Sequence, residues 1–139
     1  MHPRATDGRR RLLLWGTPLV LAHYSVVIWH VALLVKVQPG FPRTAILLLV
    51  LINLFPIAGL FVFANGFPKL AGGMIIIPLG IALVVGGYTH FLSTGSDNVL
   101  RMAPSGLTLP FQVSAALLAL LEALGCWVGF RIFAFARPR

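Results

Sequence analysis

Apolar residues along this chain do not alternate with polar ones at the period of a strand, nor do they mark one stripe of an amphipathic helix. They fall in four long blocks, at 12–35, 44–64, 70–92 and 109–135. Each block reaches across a hydrocarbon core of about 30 Å as a helix rising about 1.5 Å per residue. Helix is the required form there, because backbone amides in lipid must be satisfied within their own segment, and the alternating strands of a closed barrel are absent. The breaks carry turn chemistry: Gln38-Pro39-Gly40-Phe41-Pro42, then Asn65-Gly66-Phe67-Pro68-Lys69, then a polar loop over 93–108. Short connections make consecutive spans antiparallel neighbours. The expectation is an all-α membrane protein, a four-transmembrane-helix antiparallel bundle that uses residues 1–139 as a single integral membrane domain.

The first block follows Arg9, Arg10 and Arg11, the layout of a secretory signal. Its run of about 24 residues exceeds the 7 to 15 of a signal core and suits a retained anchor. The partial twin-arginine likeness of Gly8 to Leu12 fails on the same length.

Composition agrees with the pattern. The chain is 58% hydrophobic and 10% charged, where soluble domains carry charge on about a quarter of their residues. The net charge of +8 forms no stripe with interleaved aromatics, so nucleic acid is not the expected partner. It sets orientation instead. Arg4, Arg9, Arg10, Arg11, Lys69, Arg131, Arg137 and Arg139 lie on the side of both termini, against Lys36, Arg43 and Arg101 on the other. Basic residues accumulate on the cytoplasmic side, so both termini are expected inside, in a bacterial cytoplasmic (inner) membrane. The single cysteine, Cys126, lies within the fourth block and builds neither a disulfide nor a paired-thiol metal site.

Two lines of small residues suggest helix packing. Gly73, Gly80 and Gly87 recur every seven residues in the third span, beside Gly72 and Gly86, and Ala115, Ala119 and Ala123 recur every four in the fourth, followed by Gly125 and Gly129. Such lines let membrane helices approach closely. Pro18, Pro56 and Pro78 fall inside spans one to three, where each removes a backbone hydrogen bond and is expected to bend its helix.

Ionisable groups inside hydrocarbon are costly and point to function. Here they are His23, His30, His90 and Glu122, joined by the polar Asn53. Counted from the cytoplasmic end at about 1.5 Å per residue, His23, Asn53 and Glu122 lie about 16, 17 and 20 Å deep, near the midplane, and His30 and His90 about 27 and 30 Å deep, near the outer surface. His23 and His30 are two turns apart and share one face of span one.

Two candidate sites result. The inner one joins Glu122 to His23, with Asn53 near, and would relay a proton or hold a cationic ligand, or else clamp helix register. The outer one joins His30 and His90, with Tyr88, Asp97 and Met102 in the same region. It would bind a copper-type or zinc ion or ligate haem iron axially, or else meet headgroups and water. Nucleophile elbows, phosphate loops and His-Glu-x-x-His are absent. With Asp7 in the tail and Asp97 in the opposite compartment, paired-carboxylate hydrolysis is not expected.

Three functional classes remain. The leading one is a non-enzymatic membrane subunit, an accessory factor of a larger membrane assembly or a homo-oligomer. The second is a haem- or copper-binding redox component, and the third a proton-coupled transporter of small solutes. An absence of inverted repeats means that the last would need oligomerisation.

Overall fold

In the computed structural model, residues 3–95 and 98–135 are described. The chain is 81% helical, and the described residues contain no strand. The elements are α1 (Pro3–Val37), α2 (Arg43–Ile52), α3 (Phe55–Ala64), α4 (Pro68–Gly87), a π-helical turn (Tyr88–Leu92) and α5 (Thr108–Ala134). With α2 and α3 taken as one span, four helices are long and apolar enough to cross a membrane: Asp7–Val37, Arg43–Ala64, Pro68–Leu92 and Thr108–Ala134. These contain the blocks read from hydropathy almost entirely. The first helix, α1, begins nine residues before its apolar block, at Pro3, because a helix whose hydrogen bonds are already propagating continues through the polar residues that precede the block.

Contacts at the helix ends fix the arrangement. Gly8, at the start of α1, packs on Phe135, just past the end of α5, and an Arg9 guanidinium N–H donates to the Ala64 carbonyl at the end of α3. Gly72, near the start of α4, lies against Phe133 near the end of α5. The start of α1 and the end of α5 therefore sit at one end of the bundle, here the terminal end. The packed neighbours are α4 with α5, α4 with α3, α1 with α5 and α1 with α3. This is an up-down-up-down ring.

Two apolar clusters fill it. Val20, Leu60, Phe63, Ile75, Leu79, Val128 and Ile132 pack the terminal half, where Phe63 meets Phe135 edge-on at 5.7 Å. Leu33, Leu34, Val99, Phe111 and Ala115 pack the distal half. The turn after α3 is a Schellman cap. Gly66, at φ +95°, donates to the Phe63 carbonyl and Phe67 donates to that of Val62, which satisfies carbonyls that the helix end would otherwise orphan.

The three interior prolines behave differently from one another. Pro18 and Pro78 lie within unbroken helices, whereas the second span breaks outright at Asn53-Leu54, just before Pro56. At the break the Leu54 N–H turns to the Leu51 carbonyl, three residues back. Packing explains the contrast. The prolines of α1 and α4 are clamped on both sides: Gly16 touches Val128 and His23 meets Glu122, while Gly72, Ile75 and Leu79 all press on α5. No residue of α2 is buried, so nothing there holds a strained helix straight across the carbonyl that Pro56 cannot serve.

The small-residue seam differs from the expectation. A Cβ built on Gly73 or Gly87 meets nothing within 4 Å, and one on Gly80 meets only the Cys126 Sγ at 3.9 Å. Close approach is made by the neighbouring face: a Cβ on Gly72 would lie 2.6 Å from Phe133 Cβ and 2.9 Å from the Gly129 carbonyl, and one on Gly129 2.8 Å from Ile76. Gly125 similarly has no room beside Leu79. In α5, Ala115 is in the core but Ala119 is half-buried and Ala123 exposed. The line that packs α4 on α5 is thus Gly72, Gly125 and Gly129, turned away from Gly73, Gly80 and Gly87.

Candidate functional site

The helices α1 and α5 run antiparallel, so residues separated by seven on one and eight on the other meet at two successive levels. Both levels are polar. At the middle level, His23 Nε2 lies 3.8 Å from Glu122 Oε1, with both side chains buried. At the distal level, His30 Nδ1 and Ser114 Oγ are 2.8 Å apart, also buried. The middle rung falls, along both helices, between the stretches that supply the two apolar clusters.

The middle rung is not a closed hydrogen bond. A charge-assisted bond is about 2.7–2.9 Å long, so the imidazole and carboxylate stand about 1 Å beyond it. His23 is 1% exposed, and neither of its ring nitrogens has a hydrogen-bond partner. A side-chain shift of about 1 Å would close the gap to hydrogen-bond length. Asn53 is buried as well, but its amide donates to the Leu49 carbonyl one turn back, at 2.7 Å, and so serves the end of α2.

The distal rung has a determinate proton arrangement. The Ser114 hydroxyl donates to the Phe111 carbonyl at 2.9 Å, and a hydroxyl has one proton. In the contact with His30 it therefore accepts, which places the ring proton on Nδ1 and leaves Nε2 as the lone-pair nitrogen. His30 stacks on the fully buried Phe111, with centroids 4.7 Å apart and planes 28° from parallel. His90 meets both rings edge-on, at 4.9 Å from His30 and 5.6 Å from Phe111. The three rings form one cluster.

His90 reaches this cluster from the π-helical turn, in which the Ser93 N–H bonds the Tyr88 carbonyl five residues back. The widened turn leaves the His90 carbonyl to accept from the Val99 N–H of the long loop, at 2.8 Å. The Val99 carbonyl in turn accepts from Gln112, and the side chain of Val99 packs in the distal core. Asn98 is buried and bonds the Ser93 carbonyl and the Leu100 N–H. The loop is thus tied down over the distal end of the bundle.

The remaining expected members divide. Met102 packs against the cluster that contains Phe111. Tyr88 is 62% exposed and stands outside it, and Asp97 lies outside the described residues. Ser114, Phe111 and Val99 take part in the site without having been singled out by the sequence. For Ser114 a signal existed: it lies eight residues from Glu122, matching the seven between His30 and His23.

The separation of the imidazoles decides among cofactors. With metal–nitrogen bonds of about 2.0–2.1 Å, two imidazoles on one ion have centroids about 4.5–5.2 Å apart at angles of about 90–109°, and about 6.4 Å apart when trans. The observed 4.9 Å suits adjacent positions on one ion. It does not suit the expected axial ligation of haem iron by both rings, which stand too close for that. Among the described residues no three of His, Cys, Asp and Glu gather at one place, so two nitrogens are what the described residues of those types contribute.

No family model matches this sequence, and no curated protein or solved structure shows a match either.

Proposed function

We propose that the chain is an integral membrane protein of four spans with both termini on the cytoplasmic side, acting as a subunit or accessory factor of a membrane assembly or as a homo-oligomer. The observation that carries this reading is where the mass of the chain lies. Four apolar helices hold nearly all the described residues, joined by short links and one tied-down loop, so the described residues offer no soluble surface of any size on which to act. Lipid does not drive helices together hydrophobically, and association rests on packing. No residue of α2 is fully buried within its own chain, which leaves its exposed face available to helices of a neighbour. The excess of Lys and Arg on the side of the termini supports the orientation.

The test is association in a mild detergent and crosslinking in native membranes. The reading expects an oligomer or a defined complex, with crosslinks from cysteines placed at Leu47 or Leu51 of α2. A monomer without crosslinked partners overturns it.

A second reading, proton-coupled transport, is favoured by one observation: His23 and Glu122 stand within 3.8 Å in the buried interior. Proton-driven uptake or efflux in proteoliposomes should then be lost with Glu122→Gln. Transport that survives this change unaltered rules out the pair as its proton carrier.

A further inference from the structure

We infer that the distal rung is a binding site for a borderline transition-metal ion of the copper–zinc class, held by His30 Nε2 and a ring nitrogen of His90. The inference goes beyond the subunit reading and stands or falls independently of it.

Three observations converge on it. His30 is buried and its Nδ1–H is already committed to Ser114, the outer-shell hydrogen bond that metal-bound imidazoles characteristically make and that fixes both tautomer and ring orientation. The ring separation of 4.9 Å lies within the roughly 4.5–5.2 Å that two imidazoles on one ion require. His90 is presented by a π-helical turn, a rare distortion that recurs at functional sites, and its backbone is pinned by Val99. Imidazole nitrogen suits zinc and copper, with copper the tighter.

The two nitrogens that the described residues supply leave coordination positions open. An ion held in this way exchanges ligands, in contrast to the closed four-ligand sites that lock a fold.

The experiment uses the full chain in lipid nanodiscs, titrated with Cu²⁺ alone and followed by electron-spin-echo modulation, which counts coordinated imidazoles. His2, the fourth histidine of the chain, is replaced by Ala throughout so that it adds no signal. The expected result is one Cu²⁺ per chain with two imidazoles. His90→Ala should leave one, and Ser114→Ala should keep both while weakening affinity about 10- to 100-fold. Both variants avoid removing the more buried His30, and helical circular dichroism confirms that each is folded. His23→Gln should bind as the parent does. The inference is overturned by binding of less than one ion per chain, by two imidazoles persisting in His90→Ala (an adventitious ion only), or by undiminished affinity in Ser114→Ala.

Discussion

Adjacent glycines in α4 offer a matched test of the packing. A methyl added at Gly72 would stand 2.6 Å from Phe133 Cβ, 2.8 Å from Phe133 Cα and 2.9 Å from the Gly129 carbonyl, whereas one added at Gly73 meets nothing within 4 Å. Carbon atoms prefer about 3.5–4.0 Å, so Gly72→Ala must push α4 and α5 apart by about 0.5–1 Å. Two of the three clashing atoms are backbone, which no rotamer change can clear. Overpacking costs about 1–3 kcal/mol, and the rigid neighbours place this site near about 2 kcal/mol. The helix-propensity gain of about 0.8–1 kcal/mol measured in water offsets little of it, because in a membrane environment the separated helices are already helical. A loss of about 2 kcal/mol is roughly a 30-fold change in the folding equilibrium. Equilibrium unfolding by dodecyl sulfate in mixed micelles, followed by tryptophan fluorescence, should show that loss for Gly72→Ala and a change within about 0.5 kcal/mol for Gly73→Ala. Equal effects at the two positions, or a larger one at Gly73, would refute the assignment of the packed face.

Other outcomes follow from the same geometry. Replacing His23 alone by Leu leaves Glu122 buried opposite an apolar residue and should destabilise the bundle by about 3–5 kcal/mol, while His23→Leu with Glu122→Leu should recover most of it; additive losses in that double-mutant cycle would show that the pair is not coupled. Gly66→Ala should lower the unfolding midpoint by about 1 kcal/mol equivalent, since φ +95° is unfavourable for a residue with a Cβ. An unchanged midpoint would show that the Schellman turn contributes nothing.

The spans were legible because lipid permits few structures, and hydropathy with length reports on them directly. The faces of the spans were not. These helices are apolar nearly all round, so a seven-residue line of glycines at Gly73, Gly80 and Gly87 looks the same whether it meets a helix or lipid. The choice was made by the bulky Ile75 and Leu79, which fit beside Gly129 and Gly125. The histidines and Glu122 were placed inward by their cost in hydrocarbon, and they are buried or half-buried in the structure. Ser114 has no such cost, because a hydroxyl bonds its own helix, and it went unread among small residues. The break at Asn53 needed the knowledge that α2 lacks a packed face, which only the tertiary structure supplies.

The central claim is that four helices cross a bilayer with both chain ends on the cytoplasmic side. Labelling with a membrane-impermeant maleimide, in a Cys126→Ser background, tests it most directly. Gly40→Cys and Gly106→Cys, both exposed and with nothing within 4 Å of a Cβ, should react in intact cells, and Asn65→Cys should react only once the membrane is opened. Labelling of Asn65→Cys in intact cells, or protection of Gly40→Cys and Gly106→Cys until lysis, would contradict the account.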